Sequence, residues 1–356
     1  MISYDGWDRE YKQHRSVYLD IFDSFMSQMN YENNEEWETN FTRMMGRQYA
    51  VSVASATDAL TFALLAHGIG HRDEVLVTNF SWISSASCVD LAGATPVFCD
   101  IDLDSYHISL ESIKRMTTDK TKAIVYPHLF GNMTDTSAIQ EFCRSKNILF
   151  VEDSAQAFGS SLGGIRAGTI GDVSVFSFNS NKVVAGINGG GVVLTDDPNV
   201  AQNVKMIRRH GKDNTFDMLG YNSRMYVLNA RIINHRMTHY KETQAKRQEI
   251  AATYNKAFSD LPVITQKSSN ELNHNYHKYV VRFQDKDTRK RVKQALNASI
   301  HYETPLNKNG MYKDNYRHDD LTNSKIAADT VLSLPIHAWL TNEEIETVVD
   351  KLRSVV

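Results

Sequence analysis

From residue 49 to residue 195 the chain alternates short β-rich runs with longer helical ones, and this alternation limits its fold more than any other feature. Runs rich in Val, Ile, Phe and Tyr cover residues 49–53, 74–77, 96–101, 122–126, 148–151, 173–178 and 191–195. Between them, stretches such as 57–67 and 136–146 carry apolar side chains at three-to-four spacing. Such alternation predicts an α/β fold, an open and mostly parallel seven-stranded sheet between helices. Ligands of these sheets sit at the carboxyl ends of the strands, which is where chemistry is to be sought.

Past residue 235 the texture changes. Residues 239–260 read as one long polar helix. A strand at 276–283, a charged helix at 286–297, a short strand at 300–302 and a terminal helix at 342–352 follow. We read residues 1–235 as an N-terminal segment plus a large domain, and 236–356 as a smaller α+β domain. A length of 356 residues accommodates both. The first 45 residues have a helical, aromatic pattern and are expected to pack across the two units.

Lys and Arg number 39 against 42 Asp and Glu, a net charge of −3, so no broad positive field favours nucleic acid or anionic lipid. The opening ten residues carry four charged side chains and no apolar stretch, against a secretion signal. No window approaches the roughly 18 consecutive apolar residues of a membrane span. Cys88, Cys99 and Cys143 are odd in number and far apart, against a disulfide framework or a Cys-rich metal site. A cytoplasmic setting is expected, where the Asn-x-Ser/Thr matches at Asn40, Asn79, Asn132 and Asn297 are chance.

Two strand ends carry the chemistry. The apolar run at 148–151 delivers Glu152 and Asp153 to its carboxyl end, although a helix N-cap would also explain Asp153. The run at 173–178 leads into Lys182 and then a glycine-rich loop at 186–191. A lysine so placed can face a cleft. The pair meets the needs of pyridoxal phosphate: an amine for a Schiff base with its aldehyde, and a carboxylate to keep its ring nitrogen protonated. Its phosphate needs amide and hydroxyl donors near a helix N-terminus. Residues 55–60 (Ser55, Ala56, Thr57, Asp58, Ala59, Leu60) supply them, and a plain capped helix is the alternative there.

From about residue 46 to its end, the chain resembles the DegT/DnrJ/StrS family of pyridoxal-phosphate sugar aminotransferases, a branch of the aspartate aminotransferase fold (type I). Eight segments carry the likeness in the family's order: 55–60, 93–102, Pro127-His128-Leu129-Phe130-Gly131, 151–159, 176–191, Arg209-His210-Gly211, 220–225 and Leu332-Ser333-Leu334-Pro335-Ile336-His337. The resemblance implies that Lys182 forms the Schiff base, Asp153 pairs with the pyridine nitrogen and Gln156 lies near the ring hydroxyl. It places Trp82 as the aromatic stacked on the ring, a core tryptophan being the alternative. Ala56, Thr57 and Ser177 would bind the phosphate. Asn222 would reach the phosphate of the neighbouring subunit, which makes a homodimer with shared active sites the expected assembly. His301 and Tyr302 match a His-Tyr pair beside the cleft and are expected to contact substrate, a structural pair being the alternative.

The chain also departs from the pattern. Ala56 replaces a usual glycine, Asn188 an acidic residue, and Val227 and Asn229 an acidic residue and a glutamine. Residues 29–34 lack the family's glycine-containing stretch. The resemblance implies ping-pong transfer of an amino group from glutamate to a nucleotide-linked keto sugar. The expected acceptor is dTDP-4-keto-6-deoxyglucose, giving dTDP-4-amino-4,6-dideoxyglucose for glycan assembly. A C-3 aminotransferase acting on a 3-keto sugar is the first alternative, and a regulatory member without catalysis the second. Related dehydratases carry histidine where this chain has Lys182. A nicotinamide enzyme would need a Gly-x-Gly-x-x-Gly turn after the first strand, and none is present.

Overall fold

The computed structural model describes residues 2, 5–28, 34–267, 271–296, 298–313 and 315–356. Residues 29–33 of the departing N-terminal stretch, and Asn297, lie outside the described residues. The seven expected strands form a single sheet: β1 (Tyr49–Val53), β2 (Glu74–Thr78), β3 (Thr95–Cys99), β4 (Thr121–Pro127), β5 (Leu149–Asp153), β6 (Val173–Ser177) and β7 (Gly191–Thr195). Their order is β1-β7-β6-β5-β4-β2-β3. Pairing is parallel from β6 through to β3, whereas β7 runs antiparallel to both β1 and β6.

Side chains alternate between the two faces of each strand. On one face Val75, Val77, Val151, Val173 and Val175 pack beneath α3 (Ala56–Ala66), α4 (Ser84–Leu91) and α7 (Pro198–Ile207). On the other, Leu76, Ile124, Tyr126 and Phe150 meet α5 (Leu110–Met116) and α6 (Ser137–Lys146). Phe176, Val192 and Leu194 meet α2 (Glu35–Met45) and α8 (Val227–Thr238) on that same face. Covering both faces explains why these strands are apolar runs rather than strict alternations.

A second core forms around β8 (Ile264–Thr265), β9 (Tyr279–Arg282) and β10 (Val331–Leu334), an antiparallel sheet flanked by α9 (Tyr240–Ala257), α10 (Lys286–Leu296) and α12 (Asn342–Arg353). Between α10 and α11 (Thr322–Thr330), however, Leu306 and Tyr312 pack into the first core. Helix α1 (Trp7–Gln28) touches both units. Arg9 forms a bidentate pair with Glu344 of α12 at 2.6 and 2.7 Å, Glu10 pairs with Arg236 of α8 at 2.6 Å, and Ser24 accepts from Arg231 of α8 at 3.3 Å. The expected strand at 300–302 is not formed. Only Ser299 bridges to Ser333, and Tyr302 takes φ +62°, which extended pairing does not tolerate. Among the described residues no helix is long and apolar enough to cross a membrane.

Candidate active site

Strand β5 ends in two carboxylates that the pleat sends to opposite faces of the sheet. Glu152 goes to the α6 side and is fully buried. Its two oxygens accept from the amides of Gly168, Ile170 and Gly171 at 2.6–2.9 Å, from the hydroxyls of Ser154 and Ser174, and from His128 Nε2 at 3.0 Å. Burial alone would push this carboxyl up. The bonds from His128 and the glycine amides outweigh it and bring the pKa down to about 2. Glu152 is thus a fixed anchor for the strand end.

Asp153, on the face of α3, is not a helix cap. It is buried, accepts from the amide of Ala155 at 3.0 Å, and its carbonyl receives the amide of His128. Burial raises its pKa; the Ala155 amide and the charge of Lys182 oppose the rise. Lys182 follows the adjacent strand β6, whose carboxyl end lies beside that of β5 through the Asp153–Val175 pairing. Burial lowers the Lys182 ammonium to about 8 against the partial support of Asp153. A lysine so depressed holds an appreciable fraction of free amine near neutral pH.

The helix N-terminus expected to take a phosphate is present. Ser55, in extended conformation, caps α3 by accepting from the amide of Asp58 at 3.1 Å. Among the described residues the amides of Ala56 and Thr57 meet no acceptor, and they open on the side of the sheet that carries Asp153. The glycine-rich loop closes against this turn: a Cβ at position 191 would stand 2.4 Å from the Ser55 carbonyl. Asn229 ties the loop down, accepting from Ile187 N and donating to Gly189 O, both at 2.7 Å. Ser177, at the end of β6, is buried and accepts from the amide of Asn179.

Trp82 is 64% exposed, so it is not a core tryptophan but a free aromatic face. Gln156 is clamped: its carbonyl accepts from Phe130 N at 2.8 Å and its amide donates to Tyr302 Oη at 2.9 Å. Tyr302 is thereby joined to the strand-end residues, and His301 bonds Ser333 through Nδ1 at 2.7 Å. Burial, with Lys278 and Lys182 nearby, lowers His301 to about 3, which keeps it neutral. Asn222 stands exposed beside Ser223. Ser223 reaches back within its own chain, donating to Asp58 at 2.6 Å and accepting from Ala54 N.

Four residues of the site were not singled out in the sequence. The cavity behind Lys182 is also lined by Arg236, Arg247, His277 and Lys278. Lys278 is buried and lowered to about 7 by burial, then by the charges of Arg247 and Lys182. The run His274-Asn275-Tyr276-His277-Lys278, dense in titratable groups just before β9, was the available signal. Among the described residues, then, the carboxyl ends of one sheet's strands carry a depressed amine, a buried carboxylate, an open helix N-terminus and a free aromatic face. The donor set fits pyridoxal phosphate.

The profile of the DegT/DnrJ/EryC1/StrS aminotransferase family matches residues 11–353. The chain belongs to that family. It is a sugar aminotransferase dependent on pyridoxal phosphate. It is 32% identical over 324 residues to the dTDP-3-amino-3,6-dideoxy-alpha-D-galactopyranose transaminase of Aneurinibacillus thermoaerophilus, covering 89% of this chain and 88% of that one. It is likewise 32% identical over 320 residues to the UDP-2-acetamido-2-deoxy-3-oxo-D-glucuronate aminotransferase of Pseudomonas aeruginosa, covering 88% of each chain. Among solved structures, S. venezuelae DesV in complex with a ketimine intermediate superposes with a TM-score of 0.93 at 27% identity, covering 99% of this chain and 98% of DesV.

Proposed function

We propose that this aminotransferase moves the amino group of glutamate onto the keto carbon of a nucleotide-linked 6-deoxyhexose in the cytoplasm. The acceptor we assign is dTDP-4-keto-6-deoxyglucose and the product dTDP-4-amino-4,6-dideoxyglucose. The observation that carries amino transfer is the opposition of Asp153 and Lys182 on adjacent strand ends, with the lysine lowered to about 8. When bound, pyridoxal phosphate supplies an electron sink that lets a proton leave the carbon bearing the amine. Asp153 would hold the proton on the ring nitrogen, its carboxylate keeping the sink effective. Lys182 Nζ would hold the cofactor's aldehyde and, as a free amine, would serve as the base and acid that moves the proton of the donor's α-carbon. The amides of Ala56 and Thr57 and the hydroxyl of Ser177 would hold the phosphate, and Trp82 would supply the aromatic face for the ring. Gln156, fixed by Phe130 and Tyr302, sets the ring hydroxyl's neighbourhood.

Asn222 is assigned to the phosphate of a second copy, so that the working unit is a homodimer. Its exposure supports this, as does its neighbour Ser223 being occupied within its own chain. Arg247 and Lys278, in a cavity that Asp5 and the Arg236-paired Glu10 also line, are assigned to a dicarboxylate donor, and His301 and Tyr302 to the sugar substrate. A C-3 aminotransferase is the second reading. It is favoured by the names of the two relatives above, which specify a 3-amino product and a 3-oxo substrate. The deciding assay offers glutamate and a panel of dTDP-, UDP- and GDP-linked 3-keto and 4-keto sugars, read by mass shift. Amination of the dTDP-4-keto sugar alone supports the first reading, and amination of a 3-keto sugar alone the second. If no keto sugar is aminated while borohydride still bleaches the cofactor's visible absorbance, the substrate class is wrong.

A further inference from the structure

The kink of α1 falls at His14, which leaves helical geometry at φ −109°, ψ 17°. There its ring meets two others from the end of α8, His235 and, four residues on, His239 at the α8–α9 junction. The His14 ring stacks on His239 with centroids 4.6 Å apart and lies 5.0 Å from His235; His235 and His239 are also 5.0 Å apart. One ring nitrogen of each lies within 4.8 Å of the other two. Nε2 of His235 and Nδ1 of His239 are shielded from solvent and satisfied by no hydrogen bond, the latter lying near the His235 carbonyl outside bonding geometry. Buried polar atoms are seldom left so.

We propose that His14, His235 and His239 form a site for one divalent transition metal of the zinc class, with a fourth position open to water. Three imidazoles and no carboxylate among them disfavour magnesium and calcium, which take oxygen ligands. Zinc–nitrogen bonds of about 2.0–2.1 Å set tetrahedral ligands about 3.3 Å apart, so binding turns the His14 ring out of its stack on His239 to aim both lone pairs at one ion. The site lies outside the cofactor cleft. Its effect is mechanical: it clamps α1 against the α8–α9 junction. That junction already reaches the lysine loop, since Arg236 pairs with Glu10 of α1 and donates to the carbonyl of Ala185 at 2.6 Å. Metal binding therefore stiffens the wall behind Lys182 without touching the reacting atoms.

The test uses untagged holoenzyme stripped by chelator and equilibrated with zinc chloride, the bound metal being counted after dialysis. One zinc per chain is expected at about 100 μM or below, with His14→Gln and His239→Gln each weakening binding about tenfold or more. Unchanged visible absorbance of the cofactor verifies that the variants fold. X-ray absorption of the zinc-loaded parent gives a readout that needs no variant, and three imidazole ligands are expected. Absence of stoichiometric zinc, a variant that binds as the parent does, or a count below three imidazoles overturns the proposal.

Discussion

The reactivity proposed for Lys182 follows from where the chain turns after β6. An ordinary lysine holds its proton to 10.5, whereas burial brings this one to about 8. The nucleophile toward an aldehyde is the neutral amine, so the rate at which cofactor-free enzyme captures pyridoxal phosphate follows its fraction. That rate is expected to climb about tenfold per pH unit below 8 and to level off above it. Stopped-flow absorbance across pH 6–10 measures it as a prediction of the depressed pKa, and a rate still climbing at pH 10 contradicts a buried amine. Asp153→Ala removes the support that Asp153 gives the ammonium, and more importantly the anion proposed for the ring nitrogen. We expect its kcat to fall roughly 10²–10³-fold with cofactor still bound. Lys278 poses a different question, because it borders the cavity without joining the cofactor chemistry. Lys278→Met should raise KM for glutamate about tenfold while kcat and the cofactor's absorbance change little. Steady-state kinetics at saturating sugar decide this, and a fall in kcat alone would remove Lys278 from donor binding.

At the scale of elements, the end of β5 is held by Glu152 on one face so that Asp153 can be presented on the other. Six donors converge on the two oxygens of Glu152. Glu152→Gln keeps the shape, but either orientation turns an NH₂ toward a backbone amide that then lacks an acceptor. The expected cost is roughly 2–4 kcal/mol, read as a lower urea midpoint at unchanged m. The sign with pH follows. A carboxyl lowered from 4.5 to about 2 stabilises fully above 4.5, and that stability is lost as pH falls from 4.5 through about 2. The variant should therefore lack this part of the parent's acid transition. The strands themselves were legible, since each is a short apolar run bounded by polar turns, and Asp153 and Lys182 stood at the ends of two of them. The Glu152 anchor was not legible, because half of its donors are backbone amides that no side-chain pattern displays. Residues 300–302 misled for a related reason: Ile300 and Tyr302 look like a strand, yet Tyr302 turns to φ +62° and its hydroxyl accepts from Gln156. Its β-type side chain bonds Gln156 instead of joining a sheet.

At the scale of the whole molecule, one chain supplies both a site and an exposed residue assigned to another chain's site. Asn222 and Lys182 belong to the same polypeptide, and Ser223 beside Asn222 is already bonded to Asp58 in the first turn of its own α3. In a two-fold dimer such an arrangement is reciprocal, each copy lending Asn222 to the other. Two inactive variants then complement each other in one direction only. With Asn222→Asp placing a like charge against the phosphate and Lys182→Ala removing the amine, a mixed dimer has one site bearing both lesions and one bearing neither. Random pairing in equal amounts makes about half of the dimers mixed, each with one working site of two, so about a quarter of the parent's activity is expected to return. Unfolding and refolding the two variants together, against each alone, makes the comparison with the assay already described. Should the mixture stay as inactive as its components while Asn222→Asp alone is inactive, Asn222 acts within its own chain, and each site is complete without the partner's asparagine.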